Sequence, residues 1–575
     1  MLAPPLKWLP ALLVPVALAW VLVPGWTAPA PWVVAATVVV VSGLCLATRA
    51  CTVREGPPAW LAGLLAWAAL DAALRPVAIG DAARLLATGV VALGLVVVTR
   101  NPRGAAWGRL GAVAAGIVAA AWLITERLLH GGRPPGPFGN PNLAATPALL
   151  ALALAPFLPA PAVARGALMA VAGAGVVASG SRAALVGAVA LAAAWVVSRR
   201  VGRATRLAAA ILVVIAVAGF GVRLATDRDP LRYERVRIWA VAVRVAAAEF
   251  PLGCGPSGYA DAAMAHNFPR QGEFARFARL PDLAESDVLQ LAATLGLPGV
   301  LLLAGLAWSV VHRLPKSDAR AWGVLAAALV TSAFNSQLMV PAVAWTLALA
   351  VGSVLPRVVG RRDRGSRWAT VAAVAALAVV TGAVLALPDF GAGEPPECLV
   401  DRADAVLRTR PSDGSALADA EAMTWQACAA RPRYGRGWRI LGGIRLRRAS
   451  LCGEADVAAA AAEAFARGRE VNALDVWGAV GEGQARRLLG DTRGAWQAFN
   501  AALLLEPNCV PAWLERAVLH LAEGELGPAR EALRRAEAAQ ARARRAAFVS
   551  AYEVALAYAD PVTLEQLRAA TGEAR

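Results

Sequence analysis

The residues best suited to chemistry lie between Arg235 and Gly299. They run Arg235-Val-Arg237-Ile-Trp239, then Pro251-Leu-Gly253-Cys-Gly255-Pro256, then Glu285-Ser-Asp287-Val-Leu-Gln290 and Gly296-Leu-Pro-Gly299. A guanidinium grips oxyanions as a two-pronged fork, which an ammonium does not. A carboxylate beside a hydroxyl can take its proton. The glycines and prolines of 251–258 shape a tight turn. They also spell G-x-G-x-x-G, but without the strand–turn–helix setting that dinucleotide binding requires. A stretch this long between apolar runs exceeds the roughly 12–15 residues of an ordinary connector, so it is expected to be the working surface. Two shorter polar stretches precede it: Gly136-Pro-Phe-Gly-Asn140-Pro-Asn142, and Ser179-Gly-Ser-Arg182.

The elements that must position these residues are apolar helices. The chain has 575 residues, 58% of them hydrophobic, against about 45–50% in soluble domains. The excess is concentrated in about thirteen runs, near 8–24, 31–48, 59–74, 84–99, 106–124, 142–159, 162–178, 183–198, 206–222, 290–311, 321–340, 342–355 and 368–387. Runs of this kind suit a hydrocarbon core roughly 30 Å thick. The net charge of +17 does not imply nucleic acid, because the basic residues alternate from joint to joint. Arg100, Arg103 and Arg109, then Arg165, then Arg313, Lys316 and Arg320 fall on one side, and the opposite joints are poor in Lys and Arg. The positive-inside pattern places the N-terminus in the cytoplasm, and the 223–290 loop and the C-terminal residues outside. The first run, followed by Ala-Pro-Ala-Pro, could also serve as a signal peptide. Alternation and span count favour its retention. Asn335 and Gln337 interrupt the run at 321–340, either lining a pathway or bonding between helices.

After Pro388 the composition changes. Residues 389–397 are a linker, and 398–575 form Ala/Arg/Glu-rich amphipathic helices. A 34-residue period is visible. Gly483, Ala495, Phe499, Ala502 and Pro507 are followed by Trp513, Ala517, Ala529, Leu533 and Ala536. Upstream, Trp438, Leu441, Gly442, Ala461 and Phe465 begin a similar unit, and Pro432 ends an earlier helix. This pattern predicts a short tetratricopeptide-like solenoid that binds a partner or docks on its own membrane domain, separable from the chemistry. Cys398, Cys428, Cys452 and Cys509 can pair in an oxidising compartment or remain four small buried residues. Neither a Cys-x-x-Cys nor a His/Cys cluster points to a metal. Of the four histidines, only His266 lies in the large loop.

The segments taken together resemble the superfamily of O-antigen ligases, O-antigen polymerases and bacterial protein O-oligosaccharyltransferases. Residues 136–145 resemble its GNPN segment and 178–187 its SRG segment. Residues 235–239 with 251–256 resemble R-x-x-x-W and PLGxGP, and 285–299 resembles HN-x9-GLPG, with Glu285 where the family has His. The resemblance covers about residues 130–345. The apolar runs imply an all-α polytopic membrane bundle of about 12–13 spans, and the resemblance implies the inner membrane. It further implies metal-independent, cofactor-free transfer of a glycan from an undecaprenyl-diphosphate carrier to a lipid, glycan or protein acceptor hydroxyl on the extracytoplasmic face. Arg182 and Arg235, with Arg237 beside them, are then expected to hold the diphosphate. Glu285, or Asp287 after it, would take the acceptor proton. Asn140, Asn142, Trp239, Gly253 and Gly255 would shape the glycan side. Residue chemistry leaves other roles open: Arg182 as a snorkelling anchor, Glu285 as an acid at a helix start, Asn142 as a helix cap, and His266 as a surface imidazole. Polymerase, solute transporter and inactive scaffold are the rival functions.

Overall fold

The structure, a computed structural model, describes residues 57–74, 79–100, 102–197, 234–270, 274–278, 281–315, 318–355, 396–546 and 550–572, and residues 14, 207 and 548 singly. The described residues form helices and loops, with no strand among them. They divide into two compact units, one of residues 1–257 and 283–392, the other of 258–282 and 393–575.

The first unit follows the apolar runs closely. Its helices are α1 (Pro57–Leu74), α2 (Ile79–Thr99), α3 (Pro102–His130), α4 (Pro141–Leu154), α5 (Ala162–Ala178), α6 (Arg182–Val197), α7 (Glu234–Ala248), α9 (Asp287–Arg313), α10 (Ala319–Phe334) and α11 (Pro341–Val354). Two of these, α3 and α9, are long and apolar enough to cross a membrane, and shorter apolar helices surround them. Apart from residues 14 and 207, the expected spans at 8–24, 31–48, 206–222 and 368–387 lie outside the described residues. The core joins α2 to α6, α10 and α11 through Leu95, Leu123, Leu149, Leu154, Leu191, Val324 and Trp345. Trp345 is fully buried, and its indole N–H donates to the Thr88 carbonyl at 3.0 Å, meeting the need of a buried polar atom for a partner.

Two expectations change here. The run at 321–340 is not one helix: α10 ends at Phe334, and a 3-10 turn at Gln337–Met339 precedes α11. Asn335 and Gln337 are buried in that break. The large loop is partly helical, and Arg235 sits in the first turn of α7 rather than at the end of a described span.

The second unit is a series of helix hairpins: α12 (Pro396–Thr409) with α13 (Gly414–Ala430), α14 (Gly435–Cys452) with α15 (Ala455–Val471), α16 (Val476–Leu488) with α17 (Thr492–Leu505), and α18 (Val510–Ala522) with α19 (Leu526–Ala543). Helices α20 (Ala551–Ala557) and α21 (Pro561–Thr571) follow. The periodic residues explain the close approach. A β-carbon at Gly442 or Gly483 would collide with the Phe465 or Phe499 ring of the partner helix. Trp438 donates to the Pro432 carbonyl and Trp513 to the Pro507 carbonyl, each at 2.8 Å, so one device ties both hairpins to their preceding turns. The expected linker ends two residues early, because α12 already begins at Pro396.

Loop residues 258–282, which the sequence reading keeps with the membrane helices, belong to this unit. Helix α8 (Tyr259–Met264) carries Asp261, which is buried and accepts from Arg431 Nε at 2.6 Å and Nη2 at 3.0 Å. Arg431 Nη1 also bonds Glu397. Ala275 packs with Val476, Ala502 and Cys509, and the Arg276 amide donates to Glu506 at 3.0 Å. The four cysteines at 398, 428, 452 and 509 are unpaired. Burial pushes the Cys428 and Cys509 thiols up to about 12.

Candidate active site

Two of the motif segments lock together through a helix defect. Pro298 has no N–H, so in α9 the Thr294 carbonyl lacks its helical donor. The Gly255 amide supplies one at 2.9 Å. Cys254 donates to the Ala293 carbonyl at 2.8 Å, and Leu297 turns away to donate to Pro251 at 2.8 Å. The backbone can approach this closely because Gly253 and Gly296 both have positive φ, 83° and 61°. A side chain at Gly253 would strike the Thr294 backbone, and one at Gly296 the Pro251 carbonyl. The turn at 251–256 is thereby a brace on a kinked helix.

The brace fixes the start of α9, where the candidate acid stands. Ser286 is the N-cap and accepts from Leu289 N at 3.5 Å, so Glu285 precedes the helix and is not a first-turn acid. Asp287 occupies that first turn. It is buried, and its Oδ1 accepts the Leu338 amide at 2.9 Å. The Ser286 amide donates to Ser336 Oγ at 3.2 Å. The break after α10 is therefore built against residues 286 and 287.

Glu285 itself has φ 49°. A non-glycine residue in this region costs about 1–3 kcal/mol, and such strain clusters at functional sites. Its carboxylate Oε2 accepts from Arg235 Nε at 2.9 Å, and its carbonyl accepts from the Trp239 indole at 3.3 Å. The Trp239 ring in turn lies 5.7 Å from the Phe334 ring. Thus Arg235 and Trp239, one turn apart on α7, grip opposite ends of Glu285. The two charged side chains are 25% and 28% exposed, so a ligand can reach both. Among the described residues, Nε is the only Arg235 nitrogen with a bonded partner and Oε2 the only Glu285 carboxylate oxygen so engaged. Two Nη groups and one carboxylate oxygen remain for substrate.

The other expected residues fall as follows. Arg237 is half-buried two residues along α7. Arg182 begins α6 and is half-buried; α6 packs on α10, whose last residue is Phe334. The cap of α4 is Asn140, accepting from the Asn142 amide at 2.9 Å, and not Asn142. Asn142 instead accepts from Arg133 Nη2 at 2.7 Å, and Arg133 Nε donates to the Ser179 carbonyl at 3.4 Å. Arg133 therefore links the 136–145 and 178–187 segments, a role missed in the sequence although it is the lone basic residue of a Gly/Pro-rich joint. Glu126 accepts from the Gly136 amide and the Trp122 indole, each at 2.8 Å. His266 lies on the segment that packs with the C-terminal unit. Among the described residues, one trio, His520, Glu523 and Glu525, brings possible metal ligands within 4.8 Å. His520 already bonds Glu525 and Trp496 bonds Glu523.

Residues 167–304 match the family model described as O-antigen ligase. Over these residues the chain is similar to the O-antigen ligase family. That family comprises membrane glycosyltransferases that use polyprenyl-linked glycan donors. The matched segment contains Arg182, Arg235, Trp239, the 251–256 brace and Glu285, whereas Asn140 and Asn142 lie before it. No curated protein matches the chain.

Proposed function

We propose that this chain transfers a glycan from a polyprenyl diphosphate to an acceptor hydroxyl on the extracytoplasmic face, with Arg235 and Glu285 at the reacting centre. The Arg235–Glu285 pair, strained and reachable inside the matched segment, carries this reading. As the acceptor oxygen bonds to the anomeric carbon, the bond from that carbon to the diphosphate oxygen breaks and the polyprenyl diphosphate leaves. Negative charge develops on the leaving oxygens, where the free Nη groups of Arg235 provide forked donors. Arg182 and Arg237 are the further cations for that charge. The acceptor proton passes to Glu285. The pairing gives the cycle an order. The arriving diphosphate draws Arg235 away from Glu285, and the released carboxylate then serves the acceptor.

The same ion pair supports a second reading, in which Glu285 only orients Arg235. The two differ in what the acid contributes after the donor is bound. In the first, its loss lowers turnover with the donor held; in the second, its loss weakens donor binding. Ligase and polymerase are distinguished by the lipid-linked species that accumulates when the chain is deleted: finished polymer for a ligase, single repeat units for a polymerase. Arg235→Lys is expected to behave like the deletion, because the charge stays and the fork is lost. Normal product with Arg235→Lys would refute the diphosphate role.

The C-terminal unit is read as tetratricopeptide-like. Its Arg431, Val476, Cys509 and Glu506 hold the chain's own 258–282 segment, whose last residue is three positions from Glu285. Its proposed role is to hold that loop, which replaces the expectation of a domain separable from the chemistry.

A further inference from the structure

At the other end of the first unit lies a cavity of about 440 Å³, lined by Arg109, Arg165, Arg320, Asp318 and Phe157 among others. Three helices place it. Helix α10 has Arg320 in its first turn and Phe334, the Trp239 contact, at its end. Helix α3 carries Arg109 near its start and Glu126, which bonds the 136 amide, near its end. Helix α5 carries Arg165 in its first turn, and Ser179 at its C-cap meets Arg133. At 1.5 Å per residue these pairs are roughly 20–25 Å apart, most of a hydrocarbon core. The cavity therefore opens at the end of the bundle remote from the Glu285 pair, on the face that the arginine alternation assigns to the cytoplasm.

Its charge is unbalanced. Asp318 is the single acid in the lining. Both of its oxygens are taken by Arg320, through Nε at 3.0 Å and Nη2 at 2.9 Å, and Oδ1 also caps the Arg320 amide. The Arg320 guanidinium lies 5.9 Å from the Phe157 ring, which holds it at the rim. Arg109 donates Nη1 to the Ser353 carbonyl at 3.3 Å, which fixes that guanidinium in the lining. Arg165 is half-buried, and among the described residues its guanidinium has no bonded partner. Trp107 and Trp322, two residues from Arg109 and Arg320, are half-buried at the same level, the depth at which indoles settle in a bilayer interface.

We propose that this cavity is a second oxyanion site, binding a phosphate group at the face opposite the Arg235–Glu285 pair. All the cations of its lining are arginines, whose forks suit phosphate oxygens. The group is supplied either by an anionic phospholipid headgroup or by free phosphate.

The test uses the purified full chain in detergent, with phosphatidylglycerol, phosphatidylcholine or inorganic phosphate added and bound species counted by native mass spectrometry. Arg165→Gln is the clean variant, since that guanidinium holds no other residue. Arg320→Gln is the second, and Arg127→Gln, exposed at the far end of α3, is the control. The site predicts retention of phosphatidylglycerol over phosphatidylcholine, or retention of inorganic phosphate. Arg165→Gln should lower it by roughly tenfold or more, the effect of losing one charge-assisted bond. Displacement of phosphatidylglycerol by inorganic phosphate identifies free phosphate as the source; retention of the lipid against it identifies the headgroup. Equal retention in wild type and Arg165→Gln, or an equal fall with Arg127→Gln, overturns the site.

Discussion

Replacing Arg431 by Met tests whether the C-terminal unit holds the 258–282 loop. Arg431 and Asp261 are side chains only 10% and 5% exposed, joined by two hydrogen bonds at 2.6 and 3.0 Å. Removing one member of a buried pair typically costs about 3–5 kcal/mol, because the other charge is left unpaired. Burial already pushes the Asp261 carboxyl above its ordinary value, and Arg431 pulls it part of the way back. Without Arg431 the acid rises further and can take a proton. A raised acid contributes stability below its unfolded pKa near 3.9 and loses it as pH climbs through the folded value. The penalty of Arg431→Met should therefore be smaller at pH 5 than at pH 8. Hydrogen exchange of peptides covering 259–278, measured on the full chain at pH 8, should accelerate by roughly 10²–10³-fold, since each 1.4 kcal/mol is tenfold. Asp261→Leu combined with Arg431→Met should recover much of the loss, as hydrophobic replacements of buried pairs often do. Unchanged exchange in Arg431→Met, or an effect larger at pH 5 than at pH 8, would refute the clamp.

Further outcomes follow from the brace and the thiols. Gly253→Ala forces a left-handed φ on alanine and drives its β-carbon into the Thr294 backbone. It should lower the thermal stability of the membrane unit by about 2–4 kcal/mol and reduce transfer; a melting midpoint equal to wild type would remove the brace. With thiols at about 12, Cys428 and Cys509 should react with maleimide at pH 7.5 about 10³-fold more slowly than an ordinary cysteine near 8.5. The exposed Cys398 and Cys452 should label promptly, and labelling of all four at one rate, read by peptide mass spectrometry, would contradict the buried assignment.

Much of the membrane unit was legible because a span must be long and apolar. The runs at 59–74, 162–178 and 183–198 fall on α1, α5 and α6 within two residues, and those at 84–99 and 106–124 fall inside the longer α2 and α3. The interruption at Asn335 was visible as well, although its consequence, a break that receives Ser286 and Asp287, was not. The periodic small and aromatic residues of 438–536 revealed the helix hairpins, since Gly483 can be opposite Phe499 only if the two helices nearly touch. What escaped is long-range. Arg235 and Glu285 are 50 positions apart, and nothing local in either segment marks them as partners. The glycine-rich turn was recognisable, but its partner was not; the missing N–H of Pro298 is the signal that could have found it. Asp261 and Arg431 are 170 positions apart, so the loop's allegiance to the C-terminal unit depended on packing alone.

The central claim is that Glu285 takes the acceptor proton while Arg235 holds the donor diphosphate. The most direct test is release of polyprenyl diphosphate from a polyprenyl-diphosphate-linked glycan by the purified full chain with acceptor present, together with donor binding measured separately. Glu285→Gln keeps the shape, and loss of the partly exposed ion pair should change stability by no more than about 1 kcal/mol. It should leave donor binding in place and lower release by about 10²–10⁴-fold, the usual effect of losing a general base. Release at the wild-type rate from Glu285→Gln would contradict the account, and loss of donor binding with turnover preserved at saturation would assign Glu285 to holding Arg235 alone.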